Sequence, residues 1–171
     1  LARLHELGDC LNYNAYGETL DDLHYPPAEL YETLGPYRDP RHFIFDEPVF
    51  NVLRNAYAED LYHAGEIAPE RKTGTVAVYV LPDAAWSRRI NGIFGNRLAQ
   101  KNPQLAHAVL VAKPGGYTVS VRAPVEAPRG AGALCEQFES GGGREAAGGI
   151  NFLPETGLRR FVAAFEEAFS T

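Results

Sequence analysis

Methionine is absent from all 171 residues, tryptophan occurs once and cysteine twice. A translated chain starts with methionine, so a sequence opening at Leu1 is expected to be a processed chain or a piece of a longer protein. No apolar run approaches the roughly 20 residues that a membrane-spanning helix needs, and no basic-then-apolar signal segment opens the chain. No membrane partner is therefore expected. Two cysteines are too few for a disulfide scaffold, and both Cys10 and Cys135 lie inside apolar helical patterns, which predicts buried reduced thiols and a cytoplasmic location. Positive charge is scarce as well: 16 Lys and Arg against 22 Asp and Glu leave a net charge of −6. That balance argues against a general nucleic-acid coat while leaving room for a local basic groove. Two catalytic signatures are missing outright. No Gly-Lys-Ser/Thr ends a phosphate loop of the Walker type, and no Gly-x-Ser-x-Gly elbow presents a nucleophile.

What is there is 45% hydrophobic and 22% charged, an ordinary composition for one globular domain, or one domain with an appended segment. Charge divides the chain. Residues 1–73 hold six basic and fourteen acidic side chains, and residues 74–171 hold ten and eight. The first stretch reads helical. Leu4, Leu7 and Leu11 recur at helical spacing, "PPAELYETLGPY" opens on prolines where a helix accepts them, and Phe50, Leu53, Tyr57, Leu61 and Ala64 share one face of a helix ending at Gly65. "EIAPERKTG" then reads as a linker. Beyond it the period changes. "TVAVYVLP" is a strand, and a helix carrying Trp86, Ile90, Phe94 and Leu98 follows. "LAHAVLVA" and "GYTVSVRAP" flank the turn signal "KPGG" as a hairpin. A short helix, "AGALCEQFES", precedes the short strand "GINFLP", and a closing helix aligns Leu158, Phe161, Phe165 and Phe169. The expected fold is α/β, a mixed sheet with flanking helices in the order β-α-β-β-α-β-α, preceded by a helical segment. Residues 1–73 form the segment and 74–171 the domain.

One stretch resists this reading. "SGGGREAAGGINF" (Ser140–Phe152) concentrates five glycines where a helix or strand interior loses roughly 1 kcal/mol for each, relative to alanine. A loop is therefore expected. Gly141, Gly143 and Ala146 match G-x-G-x-x-A, but the dinucleotide fingerprint needs a strand before it and a helix after it, the reverse of the order here. Two readings stay open on residue types: an anion-binding nest of backbone N–H groups with an arginine beside it, or a helix cap with a tight crossover into the next strand.

"SVRAP" at Ser120–Pro124, a short helix ending near Phe138, then "GGGREAAGG" and a last amphipathic helix resemble the C-terminal, substrate-binding domain of DHH-family phosphoesterases. There a strand bearing Ser-x-Arg is followed by a helix and a Gly-Gly-Gly-His loop. The resemblance covers roughly Thr75 to Thr171. It implies that Arg122 and the loop Gly141, Gly142, Gly143 and Arg144 bind the phosphate or base end of a ligand, with Asn96 and Arg97 adding contacts from the preceding helix. Arg144 stands where the family has histidine. Arginine stays charged, so it holds phosphate but gives up no proton at neutral pH.

The family's hydrolysis rests on two divalent metals held in another domain by an Asp-His-His motif and further aspartates. That motif is absent here, and neither a catalytic residue nor a metal ligand is assigned. "LDDLHY", with Asp21, Asp22 and His24, reads as a solvated loop, because adjacent carboxylates point apart on a helix or strand. The tyrosines and asparagines of "GDCLNYNAYG" read as the packed, capped end of a helix or, alternatively, as a surface facing the cleft between domains. The resemblance thus implies the binding part of an exopolyphosphatase-like or oligonucleotide-cleaving enzyme, with no cofactor of its own. Manganese or magnesium is expected in a missing N-terminal DHH domain. The ligand would be a phosphorylated small molecule, a short oligonucleotide or polyphosphate, and a homodimer is compatible. Two other readings remain: a non-catalytic sensor of nucleotides or anions, and a purely structural or dimerising domain.

Overall fold

The computed structural model describes residues 1–170, which form two compact units. The first comprises Leu1–Gly65 together with Ala84–Ile90. Its helices are α1 (Ala2–Tyr13), α2 (Pro27–Leu34), α3 (Pro40–Asp46) and α4 (Pro48–Gly65). Prolines open α2, α3 and α4, at the one place where a missing N–H costs a helix nothing. Asp39 caps α3 by accepting from the Arg41 N–H at 2.9 Å. Leu7, Cys10, Leu30, Phe43, Ile44, Phe50 and Leu53 build the unit's apolar core.

A polar network lies beside that core. Arg89 donates through Nε and Nη2 to the two Asp60 oxygens at 2.8 and 3.1 Å, and through Nη1 to the Asp22 carbonyl at 2.6 Å. The Tyr13 hydroxyl donates to Asp60 and lies 2.9 Å from His24 Nε2. Arg88 grips the Asp22 carboxylate with two bonds of 2.9 and 2.8 Å. Asn14 fastens the loop by accepting from the N–H groups of His24 and Tyr25, both at 3.1 Å.

The second unit, Glu66–Asp83 with residues from Asn91 onward, carries one six-stranded sheet in the order β1-β2-β3-β4-β6-β5. Its strands are β1 (Arg71–Lys72), β2 (Val76–Leu81), β3 (Ala106–Lys113), β4 (Gly116–Arg122), β5 (Gly141–Arg144) and β6 (Ala147–Pro154). The β2–β3 pair is parallel and every other pair antiparallel. Such a parallel pair needs a crossover, which α5 (Ala85–Lys101) supplies. The β3–β4 hairpin turns at Gly115, whose φ of 79° suits glycine.

Alternation along the strands divides the sheet into two faces. Val76, Val78, Ala108, Leu110, Val119, Val121 and Ile150 join one buried cluster with α6 (Ala131–Cys135) and α7 (Leu158–Ala168). Phe161 stacks on Phe165 at 5.9 Å in that cluster, and burying each ring is worth about 1.5–3 kcal/mol. On the opposite face Phe94 of α5 meets Tyr79 edge-on at 5.6 Å.

The mixed sheet with its flanking helices and N-terminal helical segment is the expected architecture, enlarged by β1 and β5. Both cysteines are free and buried. No helix among the described residues is long and apolar enough to cross a membrane.

Candidate ligand-binding face

The glycine stretch is a hairpin rather than a loop: Gly141–Arg144 pairs antiparallel with Ala147–Gly148–Gly149–Ile150. The expectation that a strand would not accept so much glycine is overturned, and helix α6 gives the reason. A Cβ on Gly141 would lie 1.9 Å from the Cys135 carbonyl oxygen, and one on Gly148 would lie 2.6 Å from that of Ala131. Only a bare backbone lets α6 approach this closely. The entropic cost of glycine is offset by a contact that no other residue permits.

The other face of the same hairpin is different. A Cβ on Gly142 would meet nothing within 4 Å. Residues directly opposite in an antiparallel ladder project to the same face. Register therefore sets Ser120, Gly149 and Gly142 in one cross-strand row, and Arg122, Ala147 and Arg144 in the next. Two arginines consequently stand on one face, either side of the small Ala147, beside a glycine floor without side chains. With strands about 4.8 Å apart, their backbones are separated by roughly 10 Å.

Arg122 is anchored by its surroundings. Nε donates to Asn96 Oδ1 at 2.6 Å, Nη1 to Ser120 Oγ and the Val121 carbonyl, both at 3.0 Å, and Nη2 to the Gly92 carbonyl at 3.3 Å. The side chain lies along Gly92 and Gly95 of α5, where Cβ atoms would make ordinary van der Waals contact with it at 3.5 and 3.6 Å. Arg144, by contrast, is exposed at the end of β5.

Beside Arg122 a cleft of about 340 Å³ opens between α5, the end of β4 and the hairpin turn. Asn96, Gln100, Arg122, Val125, Pro128 and Ala147 are among its lining residues. Of the residues singled out from sequence, Asn96 and Arg122 meet in this cleft. Arg144 shares its sheet face, Gly142 forms the bare floor, Gly141 turns to α6, and a Cβ on Gly143 would run into Ala147 and Gly148 of the neighbouring strand. Arg97 is exposed on α5 and does not line the cleft. Gln100 was missed, although it follows Asn96 by four residues and so shares its helix face.

The "LDDLHY" segment is also corrected. Asp22 is only 4% exposed, and the Arg88 hydrogen bonds hold its carboxyl down at about 2. It is a buried ion pair and not a solvated loop. Burial pushes the His24 imidazole below its ordinary value. Among the described residues no three His, Cys, Asp or Glu side chains gather to hold an ion. With Asp22 closed off by Arg88 and Asp60 by Arg89, these carboxylates do not fit a metal pair.

No family model and no curated protein matches the chain in sequence. Solved structures do match in fold. A pGpG-specific phosphodiesterase, PggH, from Vibrio cholerae superposes at a TM-score of 0.56 and 11% identity, over 85% of this chain and 51% of that one. The exonuclease RecJ bound to manganese gives 0.51 at 18% identity, over 70% and 30%. RecJ from Thermus thermophilus in complex with Mn²⁺ gives 0.52 at 17%, over 80% and 22%. The chain thus spans between about a fifth and a half of these three proteins. At such identities the likeness is one of fold, and the fold is the one found in part of each of these DHH-family proteins, as expected for a DHH-associated domain.

Proposed function

We propose that this chain, which shares its fold with part of several DHH-family phosphoesterases, is the substrate-binding portion of such an enzyme. Residues 74–171 act as the binding domain and residues 1–73 as a connector to a metal-bearing domain. The ligand carries phosphate, as a nucleotide, a short oligonucleotide or a phosphorylated metabolite. It binds on the bare face of the glycine hairpin between Arg122 and Arg144, with Asn96 on α5 contributing. Hydrolysis in the intact protein belongs to manganese or magnesium held outside this chain.

One observation carries the proposal. The register of β4, β6 and β5 puts Arg122 and Arg144 in a single row on one face, with Ala147 between them and the bare Gly149 and Gly142 in the next row. Tight packing by α6 accounts for Gly141 and Gly148, but it leaves Gly142, an exposed Arg144 and the open floor unexplained. An anion approaching that floor meets two guanidinium-bearing strands, with nothing larger than the Ala147 methyl between them and no side chain at Gly142 or Gly149. The exposed Arg144 suits the task because its planar fork matches phosphate oxygens in pairs, while Arg122, held by Asn96, Ser120 and two backbone carbonyls, contributes its positive charge.

The test is binding of a phosphorylated probe such as ribose 5-phosphate, followed by calorimetry. Arg144→Ala is expected to weaken binding at least tenfold, since a charge-assisted hydrogen bond contributes about 1.5–3 kcal/mol. Because Arg144 is exposed, the melting temperature should stay put. Unchanged affinity in a folded Arg144→Ala protein would defeat the proposal.

A further inference from the structure

The cleft beside Arg122 differs chemically from the arginine row. Val125, Pro128, Ala99, Ala123, Ala146 and Ala147 give it apolar walls, and its polar side chains besides Arg122 are two neutral amides, Asn96 and Gln100. A chain of phosphates gains nothing from such walls and would have to shed water against them. A flat heterocycle gains from both: apolar surface covers its ring faces, and amides meet its edge.

The amides are also set up differently from each other. Arg122 Nε donates to Asn96 Oδ1, which fixes the carbonyl end of that amide and leaves the NH₂ end to donate elsewhere. Gln100 lies four residues on along α5, and its amide offers both a donor and an acceptor. Paired donor and acceptor groups of this kind are what a side-chain amide uses on the edge of a purine. The volume of about 340 Å³ lies at the small end of ligand sites. It suits one ring system rather than an extended polymer.

We infer that this cleft is a subsite for the heterocyclic base of the ligand, with Gln100 as the residue that reads the base edge. The inference rests on the preceding reading for the phosphate end and adds the base-bearing class of ligand to it. A bare polyphosphate is then a poor ligand.

The experiment uses the full chain and three probes: adenosine 5′-monophosphate, adenosine, and ribose 5-phosphate. Binding is followed by calorimetry and by NMR shifts of the Gln100 side-chain amide and the Val125 methyls. The nucleotide is expected to bind at least tenfold tighter than ribose 5-phosphate. Adenosine should shift Gln100 and Val125, whereas ribose 5-phosphate should not. Gln100→Ala should weaken nucleotide binding severalfold and leave ribose 5-phosphate unaffected, whereas Arg144→Ala should weaken both. If the nucleotide and ribose 5-phosphate bind equally, and Gln100→Ala changes neither, the base subsite is overturned while the phosphate reading stands. If adenosine alone shifts the cleft and no phosphate compound binds better, the subsite stands and the phosphate reading falls. Silence of Gln100 and Val125 toward every probe overturns the subsite as well.

Discussion

At the scale of single residues, His107 carries the clearest pH dependence. It is fully buried on β3, directly opposite Arg122 on β4, and neither ring nitrogen makes a well-formed side-chain hydrogen bond among the described residues. Burial pushes its imidazole down to about 4, against a weaker upward pull from the Leu105 backbone, so the folded protein holds it neutral. The unfolded chain, with an ordinary value near 6.5, binds a proton first as pH falls. His107 therefore contributes its full stability above about pH 6.5 and loses it progressively toward pH 4. At about 1.4 kcal/mol per unit, the ceiling is roughly 3 kcal/mol. Urea unfolding at pH 7 and pH 4.5 should show that loss, and His107→Leu should shrink the difference between the two, with His24, whose imidazole burial also lowers, supplying part of what remains. An equal loss in the variant would assign the pH dependence to other groups. Asp22 acts lower on the scale. With its carboxyl held at about 2 by Arg88, its contribution is present above about pH 4 and disappears only as pH falls toward 2, so the two effects separate.

At the scale of elements, the hairpin β5–β6 makes two neighbouring glycines unequal. Gly141→Ala would drive a methyl into the Cys135 carbonyl, 1.9 Å from the Cβ position, whereas Gly142→Ala meets open space. The first change should destabilise the protein by several kcal/mol or prevent folding, while the second should stay within about 1 kcal/mol. Thermal melts of the two variants side by side measure this, and comparable losses would mean that α6 does not dictate the glycines. The same contrast explains what sequence reasoning reached. Helices α1, α4, α5 and α7 repeat their apolar residues at helical spacing, and Gly115 marks the β3–β4 turn, so local patterns sufficed. Strand β5 stayed hidden because glycine argues against a strand locally, and the compensating contact comes from α6. Helix α3 has only seven residues, too few for a period to emerge. Arg122 and Asn96 were legible through the Ser-x-Arg strand and its preceding helix. Gln100 and the Val125–Pro128 wall were not, because nothing in their own sequence announces a cleft that the fold assembles.

At the scale of the whole molecule, the chain passes between its compact units three times: after Gly65, after Asp83 and after Ile90. Residues 66–70 lie outside any helix or strand, and β1 begins only at Arg71, so a glutamate-specific protease should cut at Glu66 or Glu70. A single linker would let the two products drift apart. Here the downstream product carries Ala84–Ile90, which belongs to the upstream unit. Within that unit Arg88 pairs with Asp22 and Arg89 with Asp60, both pairs largely buried. Removing one partner of such a pair costs about 3–5 kcal/mol because a buried charge is stranded. The nicked protein should therefore elute as one species in native size exclusion and resolve into two bands only on a denaturing gel. Asp60→Ala should loosen it, so that the nicked variant separates into two native peaks. Separation of the unmodified nicked protein under native conditions would show that Arg88 and Arg89 do not hold the first unit together.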